Sequence, residues 1–370
     1  MSDDFSQVAV LFGGPSPEHD VSILTGLQAL RVLGQNCYGI YWSKTNEFYL
    51  GRNANLEASD FLTAKVKGFE EVFFKLGKDP GFYQKSITGV KRIPIETVIN
   101  CCHGGPGEDG TIQSIFELAQ IPLTGPDSSL AQIGMDKWLF YLLIKNSGFA
   151  CLERRLIMPG FKGEIDLNPP FILKPRFGGS SLGIEIVADV DTVIDLVQRV
   201  PYYRQGAVVE TYNAELIDLQ VAVRNYPEFE ISEIERPLKQ TEGSYLNYSD
   251  KYVAQEGMAG AKRELPAKIP DELKSKILDV TNSLRSIFNI KGIIRVDYLS
   301  DARDLLYLNE INTIPGSLAR YLFINPKRDF KELLVDMIDE AKKSNNFKYL
   351  TMGADGSLLK TVSSIASKLG

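Results

Sequence analysis

The feature that most constrains the fold is a run of apolar residues near the N-terminus that ends in two glycines. Residues 8–12 read VAVLF and are followed by Gly13 and Gly14. A continuous apolar run of this length is typical of a parallel strand buried on both faces. The pattern recurs at residues 97–102, which lead into a glycine-rich loop and then a helix-like segment. This succession predicts an α/β domain whose ligand-binding loops lie at the strand ends.

Composition and charge argue against several classes of protein. The chain has 370 residues, of which 44% are hydrophobic and 24% charged, as in ordinary globular proteins. Its formal net charge of −6 and pI near 5.3 disfavour nucleic-acid binding, which needs a basic face. The N-terminus is acidic and no apolar run reaches membrane-spanning length, so we expect neither a signal peptide nor a membrane segment. The four cysteines lack zinc-site spacing, which predicts a reduced, cytoplasmic protein.

The order of the predicted elements divides the chain into four parts. A new unit begins near residue 127, and beyond residue 212 the alternating segments predict longer antiparallel strands. The parts are an N-terminal α/β domain (1–126), a central subdomain (127–212), a C-terminal subdomain (213–343) and an appendage (344–370).

Three oxygen-bearing side chains are predicted to converge on a hairpin near the C-terminus. Residues 293–298 and 305–308 read as two strands joined by a short turn. A period of two places Glu310 and Asn312 on one face, and pairing across the hairpin brings Asp297 beside them. Carboxylate and amide oxygens are the ligands that Mg²⁺ prefers. The alternative is a solvated hairpin with scattered surface charge.

A glycine-rich loop at residues 178–183 predicts a phosphate site. Its sequence, GGSSLG, includes Ser180 and Ser181 and lies between two strand-like segments. Glycines let backbone N–H groups approach an anion closely, and hydroxyl groups add donors. Lys174, on the strand that leads into the loop, adds a positive charge. The loop is not a Walker P-loop, because no Gly-Lys-Ser/Thr opens a helix after it; the alternative is a flexible loop.

Three further loops carry polar groups. Glu18 follows the first strand, where its carboxylate can hold a substrate ammonium group or contact a helix dipole. His103 opens the loop HGGPGEDG, and a histidine there is as readily structural as functional. Residues 247–252 lie between glycines and predict a lid, in which Lys251 reaches nucleotide phosphates or is simply solvated.

Together these segments resemble the ATP-grasp carboxylate–amine ligases, and within them the D-alanine–D-alanine ligase family. The matching motifs stand in family order from residue 8 to about 326 and leave only the tail uncovered. The resemblance implies an α/β (α+β) protein with an ATP-grasp fold and an N-terminal Rossmann-like pre-ATP-grasp domain. The motifs are residues 13–22, 103–110 with Gln113, 135–137, 174–183, 248–252, 295–297 and 310–316.

The resemblance also implies a role for each matching residue. Seven residues would bind ATP, some at the phosphates and others at the nucleoside: Lys137, Lys174, Ser180, Ser181, Glu210, Asp218 and Lys251. The family has a glutamate at the ribose position, where this chain has Asp218. Two Mg²⁺ ions, or Mn²⁺ as an alternative, would be held by Asp297, Glu310 and Asn312.

Catalysis and substrate binding are assigned by the same resemblance. The ammonium group of the first amino acid would bind to Glu18. Hydrogen bonds would connect Glu18 to Ser180 and Ser180 to Tyr252. The catalytic set is Glu18, Ser180, Tyr252, Arg295 and Gly316. The substrate-binding set is Glu18, His103, Arg320, Tyr321 and Leu322.

The implied activity is the ATP-dependent joining of an amino acid, D-alanine or similar, to an amine acceptor through an acyl phosphate. This reaction would serve peptidoglycan synthesis in cell-wall biogenesis, in the cytoplasm. The implied partners are small amino-acid substrates, with no nucleic acid and no membrane, and a homodimer is one allowed assembly. The alternatives are a dipeptide or natural-product ligase with a different acceptor, and a nucleotide-binding subunit that lacks catalysis.

One position departs from the family pattern. After Gly316 the chain reads SLARYL, so Tyr321 stands where the family has a serine that contacts the second substrate's carboxylate. A tyrosine is far larger, and Arg320 beside it adds a cation. We therefore expect an intact donor half of the site and a remodelled acceptor half.

Overall fold

The computed structural model describes residues 4–62, 66–87, 89–238, 263–344 and 349–361. The first unit is a seven-stranded sheet in which the first strand lies parallel to its two neighbours, while the remaining pairs are antiparallel. Its strands are β1 (Val8–Gly13), β2 (Tyr38–Trp42), β3 (Phe48–Gly51), β4 (Glu70–Lys75), β5 (Gly81–Ser86), β6 (Gly89–Arg92) and β7 (Thr97–Asn100). They are ordered β6-β5-β4-β3-β2-β1-β7 across the sheet.

Strand β1 separates two cores, which explains its continuous apolar sequence. Its even-numbered residues, such as Phe12, belong to one core together with helix α1 (His19–Leu33). Its odd-numbered residues, such as Leu11, belong to a second core with helix α2 (Thr111–Ala119). Every residue of β1 is buried, as expected of a parallel strand with helices on both faces. The predicted α/β arrangement is therefore present.

The second unit begins with helices α3 (Ser128–Met135) and α4 (Lys137–Asn146). An antiparallel sheet follows, with the strand order β10-β9-β11-β8. Helix α5 (Val190–Arg199) packs its Val193 and Val197 into the core of this sheet. The strands are β8 (Arg154–Ile157), β9 (Phe171–Pro175), β10 (Glu185–Val187) and β11 (Ala207–Thr211).

The third unit contains the predicted hairpin within a four-stranded antiparallel sheet, ordered β13-β12-β16-β17. A separate two-stranded ladder joins β14 to β15. The hairpin turn is closed by Asp301, whose Oδ1 accepts hydrogen bonds from three backbone N–H groups. The strands are β12 (Ile217–Arg224), β13 (Glu230–Ile231), β14 (Arg236–Pro237), β15 (Arg263–Glu264), β16 (Ile293–Ser300) and β17 (Leu306–Asn312).

Helix packing ties the units together. Helices α3, α4 and α6 (Asp271–Ser283) share one core with the third sheet. Helix α7 (Phe330–Lys343) packs Leu333 and Met337 into the core that contains β1 and α1. A short helix α8 (Ser357–Thr361) lies in the C-terminal appendage. None of the helices in the described ranges combines the length and apolar character needed to cross a bilayer.

Several elements differ from the expectations from sequence. Strands β3 to β6 were not predicted from the sequence. Helices α3 and α4 pack with the third sheet, although the predicted division at residue 212 assigns them to the central part. The boundaries of the four parts stay a prediction.

Candidate active site

A pocket between the second and third sheets collects most residues predicted to bind a nucleotide. Its walls come from β9, β11, β12 and β17 and from the glycine-rich loop after β9. Glu310, a predicted metal ligand, also lines it. Lys251 is the one predicted nucleotide-binding residue that lies outside the described residues. The others line the pocket: Lys137, Lys174, Ser180, Ser181, Glu210 and Asp218.

Opposite charges are packed closely along one side of this pocket. Glu210 is only 1% exposed, and both of its carboxylate oxygens accept hydrogen bonds from Lys174 Nζ at 2.9 Å. Arg154 Nε lies 2.9 Å from Glu210 Oε1, and its guanidinium also donates to the Asn309 carbonyl oxygen at 2.8 Å. Burial raises the pKa of Glu210, but the two cations more than offset it, so the pKa lies below its ordinary value. Glu210 is therefore an ionised group held between two cations.

Lys137 is fixed at the pocket by the start of α4. Asp136 caps this helix by accepting a hydrogen bond from the Trp138 N–H at 3.0 Å, and it also binds Arg176 Nε at 2.9 Å. Lys137 Nζ donates to the carbonyl oxygen of Gly178 in the glycine-rich loop. Burial lowers the pKa of Lys137, although the Glu310 carboxylate opposes this shift. The pocket therefore holds a second buried amine besides Lys174.

The glycine-rich loop meets the N-terminal domain at Glu18. Ser180 Oγ donates a hydrogen bond to Glu18 Oε1. A Cβ atom at Gly104 or Gly179 would lie only 2.5 or 2.8 Å from Glu18 Oε2, so a side chain at either position would displace this carboxylate. Gly104 also has a φ of +64°, which favours glycine. The structure thus brings the predicted pair Glu18 and Ser180 together. Tyr252, the predicted third member of this chain of hydrogen bonds, lies outside the described residues.

The predicted metal ligands lie side by side on β16 and β17. Asp297 is directly opposite Glu310 in the strand pairing, and Arg295 is opposite Asn312. Arg295 Nε and Nη2 each donate to an Asp297 oxygen at 2.7 Å, and Asn312 Nδ2 donates to Asp297 Oδ2 at 3.0 Å. Across the described ranges no group of three or more His, Cys, Asp or Glu side chains has an arrangement suited to a metal.

The donor set on these strands nevertheless fits a hard divalent cation. Mg²⁺ is commonly bound by one or two carboxylates, while waters and substrate phosphates complete its shell. Asp297 and Glu310 supply two carboxylates, and Asn312 supplies an amide oxygen. Like charges directly opposite each other on paired strands repel, and Arg295 compensates Asp297 in this structure. A cation held by Glu310 and Asp297 would likewise reduce the repulsion between their two carboxylates.

Two residues of the predicted substrate-binding set, Arg320 and Leu322, have protein groups as neighbours in this structure. Arg320 is exposed, and its guanidinium lies 5.0 Å from the ring centre of Phe330 on α7. The Leu322 side chain is fully buried in the core beside α1. Their assignment to the substrate stays a prediction.

Tyr321 instead joins a buried polar cluster that sequence reasoning missed. Its hydroxyl faces the carboxylate of Glu235, which is 3% exposed, and lowers the pKa of that group. Arg263 Nη1 lies 3.1 Å from Glu235 Oε1, and the guanidinium carbon of Arg263 lies 4.7 Å from the ring centre of Tyr321. Burial raises the pKa of Glu235, while Arg263 and Arg295 act in the opposite direction. The hydroxyl of Tyr321 is therefore already engaged by the protein.

His103 is also held by protein groups at both ring nitrogens. Nδ1 lies 2.6 Å from the carbonyl oxygen of Ile314, and Nε2 lies 2.8 Å from Thr25 Oγ1. Burial lowers the pKa of His103 to about 4, so the ring is neutral near pH 7. In this structure His103 links the N-terminal domain to the segment after β17. Its predicted role as a substrate contact stays a prediction.

Glu108, from the same loop as His103, holds the same segment. Its carboxylate accepts hydrogen bonds from the N–H groups of Gly104 and Ile314, both at 2.9 Å. Burial, together with the nearby Glu18 charge, raises the pKa of Glu108 to about 7. Both peptide groups of Ile314 are thus bound by side chains from the 103–110 loop.

Comparison with known proteins identifies the family. The model described as D-ala D-ala ligase N-terminus matches residues 7–126, and the model described as D-ala D-ala ligase C-terminus matches residues 160–339. A D-alanine–D-alanine ligase of Campylobacter jejuni subsp. jejuni is 32% identical over 361 residues, which cover 95% of this chain and 99% of that relative. The chain belongs to the D-alanine–D-alanine ligase family.

Further relatives agree with this family. The D-alanine–D-alanine ligase of a Nitratiruptor species is 32% identical over 344 residues, which cover 92% of this chain and 95% of that relative. The crystal structure of the D-alanine–D-alanine ligase of Helicobacter pylori has a TM-score of 0.71 and 27% identity, covering 92% of this chain and 99% of that one. The predicted ATP-grasp fold and the predicted ATP-dependent carboxylate–amine ligase class are confirmed for this member of the D-alanine–D-alanine ligase family.

Proposed function

We propose that the protein joins two molecules of D-alanine, with conversion of ATP to ADP and phosphate. The observation that carries the proposal is the match to a relative named D-alanine–D-alanine ligase along 95% of the chain. A pocket with two buried amines and a neighbouring pair of carboxylates supports it, because these are the charges such a reaction needs. We also propose a cytoplasmic location and leave the homodimer as a prediction.

Lys137 and Lys174 would neutralise the phosphates of ATP. A carboxylate that attacks a phosphoryl group is an anion approaching an anion, so cations must lie beside it. Lys174 is paired with Glu210 in the described structure, and Lys137 donates to the Gly178 carbonyl oxygen. A bound nucleotide would offer both amines a new anionic partner within the same pocket. The N–H and hydroxyl groups of residues 178–183 would add further donors.

Asp297, Glu310 and Asn312 would hold two Mg²⁺ ions. When bound, such ions neutralise phosphate charge and orient the phosphoryl group that is transferred. Arg295 fixes the Asp297 carboxylate through two parallel hydrogen bonds, a geometry that only an arginine supplies. A lysine at position 295 would hold that carboxylate less firmly.

Glu18 would bind the ammonium group of the first D-alanine. Its carboxylate is 8% exposed and is oriented by Ser180, so its charge acts where little water screens it. The lid predicted at residues 247–252 would then exclude water from the acyl phosphate, which hydrolyses readily. Arg295 and the Gly316 N–H would stabilise the oxyanion that forms when the second amine attacks.

The acceptor end is proposed to be remodelled by Tyr321. The phenol occupies the position at which the family has a smaller hydroxyl side chain, and its own hydroxyl faces Glu235. The carboxylate of the second substrate would then need another donor. Arg263, which is 21% exposed at its side chain and lies over the Tyr321 ring, is one candidate cation.

The proposal is tested by measuring ADP release over pairs of D- and L-amino acids and identifying each product by mass spectrometry. We expect ADP and D-alanyl-D-alanine from D-alanine alone, and no ADP from L-alanine alone. D-Serine and D-lactate, offered with D-alanine, test the acceptor end. ADP release that requires an acceptor other than D-alanine would favour a ligase with a different product. No ADP release with any pair would refute the proposal.

A further inference from the structure

The segment after β17 contains a backbone conformation that needs external support. Ser317, Leu318 and Ala319 have φ angles of 51°, 50° and 50°, within the 3₁₀ segment Gly316–Leu322. Residues with a Cβ atom rarely adopt this left-handed region, and then as single residues rather than runs. Such a turn persists only where the surrounding structure holds it. The turn directly follows Gly316, whose N–H is predicted to stabilise the oxyanion that forms when the second amine attacks.

A chain of hydrogen bonds from α1 reaches the first residue of this turn. The Ser317 N–H donates to Thr25 Oγ1 at 3.1 Å, and Thr25 Oγ1 lies 2.8 Å from His103 Nε2. His103 Nδ1 faces the Ile314 carbonyl oxygen, which can only accept, so Nδ1 carries the proton. In the neutral ring Nε2 then accepts, and Thr25 must donate to it. Thr25 therefore accepts from Ser317 and donates to His103, so both roles of its hydroxyl are used.

The position of Thr25 follows from the packing of α1. Ser22 and Thr25 are three residues apart and share one face of the helix. Ser22 Oγ accepts a hydrogen bond from the backbone N–H of His103 at 2.6 Å. The same face of α1 therefore binds both the backbone and the ring of His103. Gly26 lets the helix approach β1 closely, because a Cβ there would lie 2.4 Å from Phe12 Cβ. Thr25 is thus 1% exposed and fixed in place.

We propose that Thr25 is a positioning residue for the acceptor half of the reaction. Its hydroxyl holds the left-handed turn at Ser317, and through His103 it holds Ile314 on the other side of Gly316. Helix α1 of the N-terminal domain thereby sets the backbone against which the second amine attacks. Thr25 itself touches no reacting atom. The kinetic part of this inference rests on the proposed function, whereas the structural part does not.

The test compares Thr25→Val, which keeps the shape but removes the hydroxyl, with Thr25→Ser, which keeps the hydroxyl. Thr281→Val is the matched control, because Thr281 is equally buried and its hydroxyl bonds to the Ile277 carbonyl oxygen and to Tyr298, away from the site. We expect Thr25→Val to raise the KM of the acceptor D-alanine by about tenfold, the effect of one buried hydrogen bond, with the donor KM unchanged. Thr25→Ser and Thr281→Val should leave both KM values near wild type.

Hydrogen–deuterium exchange over residues 313–322 gives a second readout that requires no substrate. Exchange should become faster in Thr25→Val only. Unchanged exchange in Thr25→Val, or an equal increase in Thr281→Val, would overturn the inference, as would faster exchange with an unchanged acceptor KM. If wild type forms no dipeptide, the proposed function fails, while the exchange comparison still decides whether Thr25 holds the turn.

Discussion

Glu210→Gln is the substitution whose effect on stability follows most directly from the structure. Glutamine keeps the volume of glutamate and one acceptor oxygen, but it removes the negative charge between Lys174 and Arg154. The side chains of these two cations are only 9% and 2% exposed, so water cannot replace the lost partner. Removing one member of a buried ion pair typically costs about 3–5 kcal/mol, because an uncompensated charge is left behind. We expect a loss of that size in the free energy of unfolding.

A matched control is available on the surface. Glu153 is 51% exposed and pairs with Lys145 at 2.6 Å, so Glu153→Gln removes the same chemical group from a solvated pair. Exposed pairs contribute at most about 1 kcal/mol. Urea denaturation curves for wild type and both variants, followed by tryptophan fluorescence, give the two losses under the same conditions.

Added nucleotide sharpens the comparison. Its phosphates would supply a new counter-charge to Lys174, so ADP should raise the urea midpoint of Glu210→Gln by more than that of wild type. If Glu210→Gln loses no more stability than Glu153→Gln, the buried cluster does not need its carboxylate and the reasoning is refuted. An equal effect of ADP on wild type and variant would separately contradict the place of Lys174 in the nucleotide site.

Three other substitutions probe the rest of the site. Glu310→Gln should abolish metal-dependent ADP release while leaving the urea midpoint near wild type, and near-normal turnover at ordinary Mg²⁺ would contradict the metal assignment. Tyr321→Ser should change the ranking of acceptors by kcat/KM with little effect on donor KM. Tyr321→Phe, which removes only the hydroxyl that faces Glu235, is its control. The pKa of Glu108 is raised from 4.5 to about 7, so its contribution to stability is present below pH 4.5 and is lost as pH rises through 7. That loss in the free energy of unfolding amounts to about 3 kcal/mol. Glu108→Gln cannot ionise at this position, so the urea midpoint of the variant should depend less on pH than that of wild type. An unchanged pH dependence would argue against the raised pKa.

Features that depend on residues close together in the chain were predicted well from the sequence. The apolar run at β1 and the alternation along β16 and β17 are local patterns, and a period of two suffices to place Asp297 beside Glu310. The glycine-rich loop was predicted for the same reason. Strands β3 to β6 were missed, because their residues do not alternate regularly between buried and exposed.

Side chains that meet across the fold could not be predicted in this way. Nothing in the segment around Arg154 marks it as the second cation of Glu210, because the two residues become neighbours only when β8 pairs with β11. Tyr321 was singled out by its departure from the family pattern, but its partner Glu235 lies far away in the sequence. His103 was recognised as a candidate, yet the partners that hold its ring come from α1 and from the segment after β17.

The core beside α1 has a consequence for how the chain folds in the cell. It joins β1 and α1, which are synthesised first, to Leu333 and Met337 of α7, which are synthesised almost last. Ribosomes add about 5–20 residues per second. The apolar face of α1 therefore stays uncovered by α7 for on the order of tens of seconds, until α7 has left the ribosome. Contacts so distant in sequence also slow folding, because a long loop must close before they form. The N-terminal domain is therefore expected to depend on chaperones during translation, and chains truncated before α7 should aggregate rather than accumulate as a folded fragment.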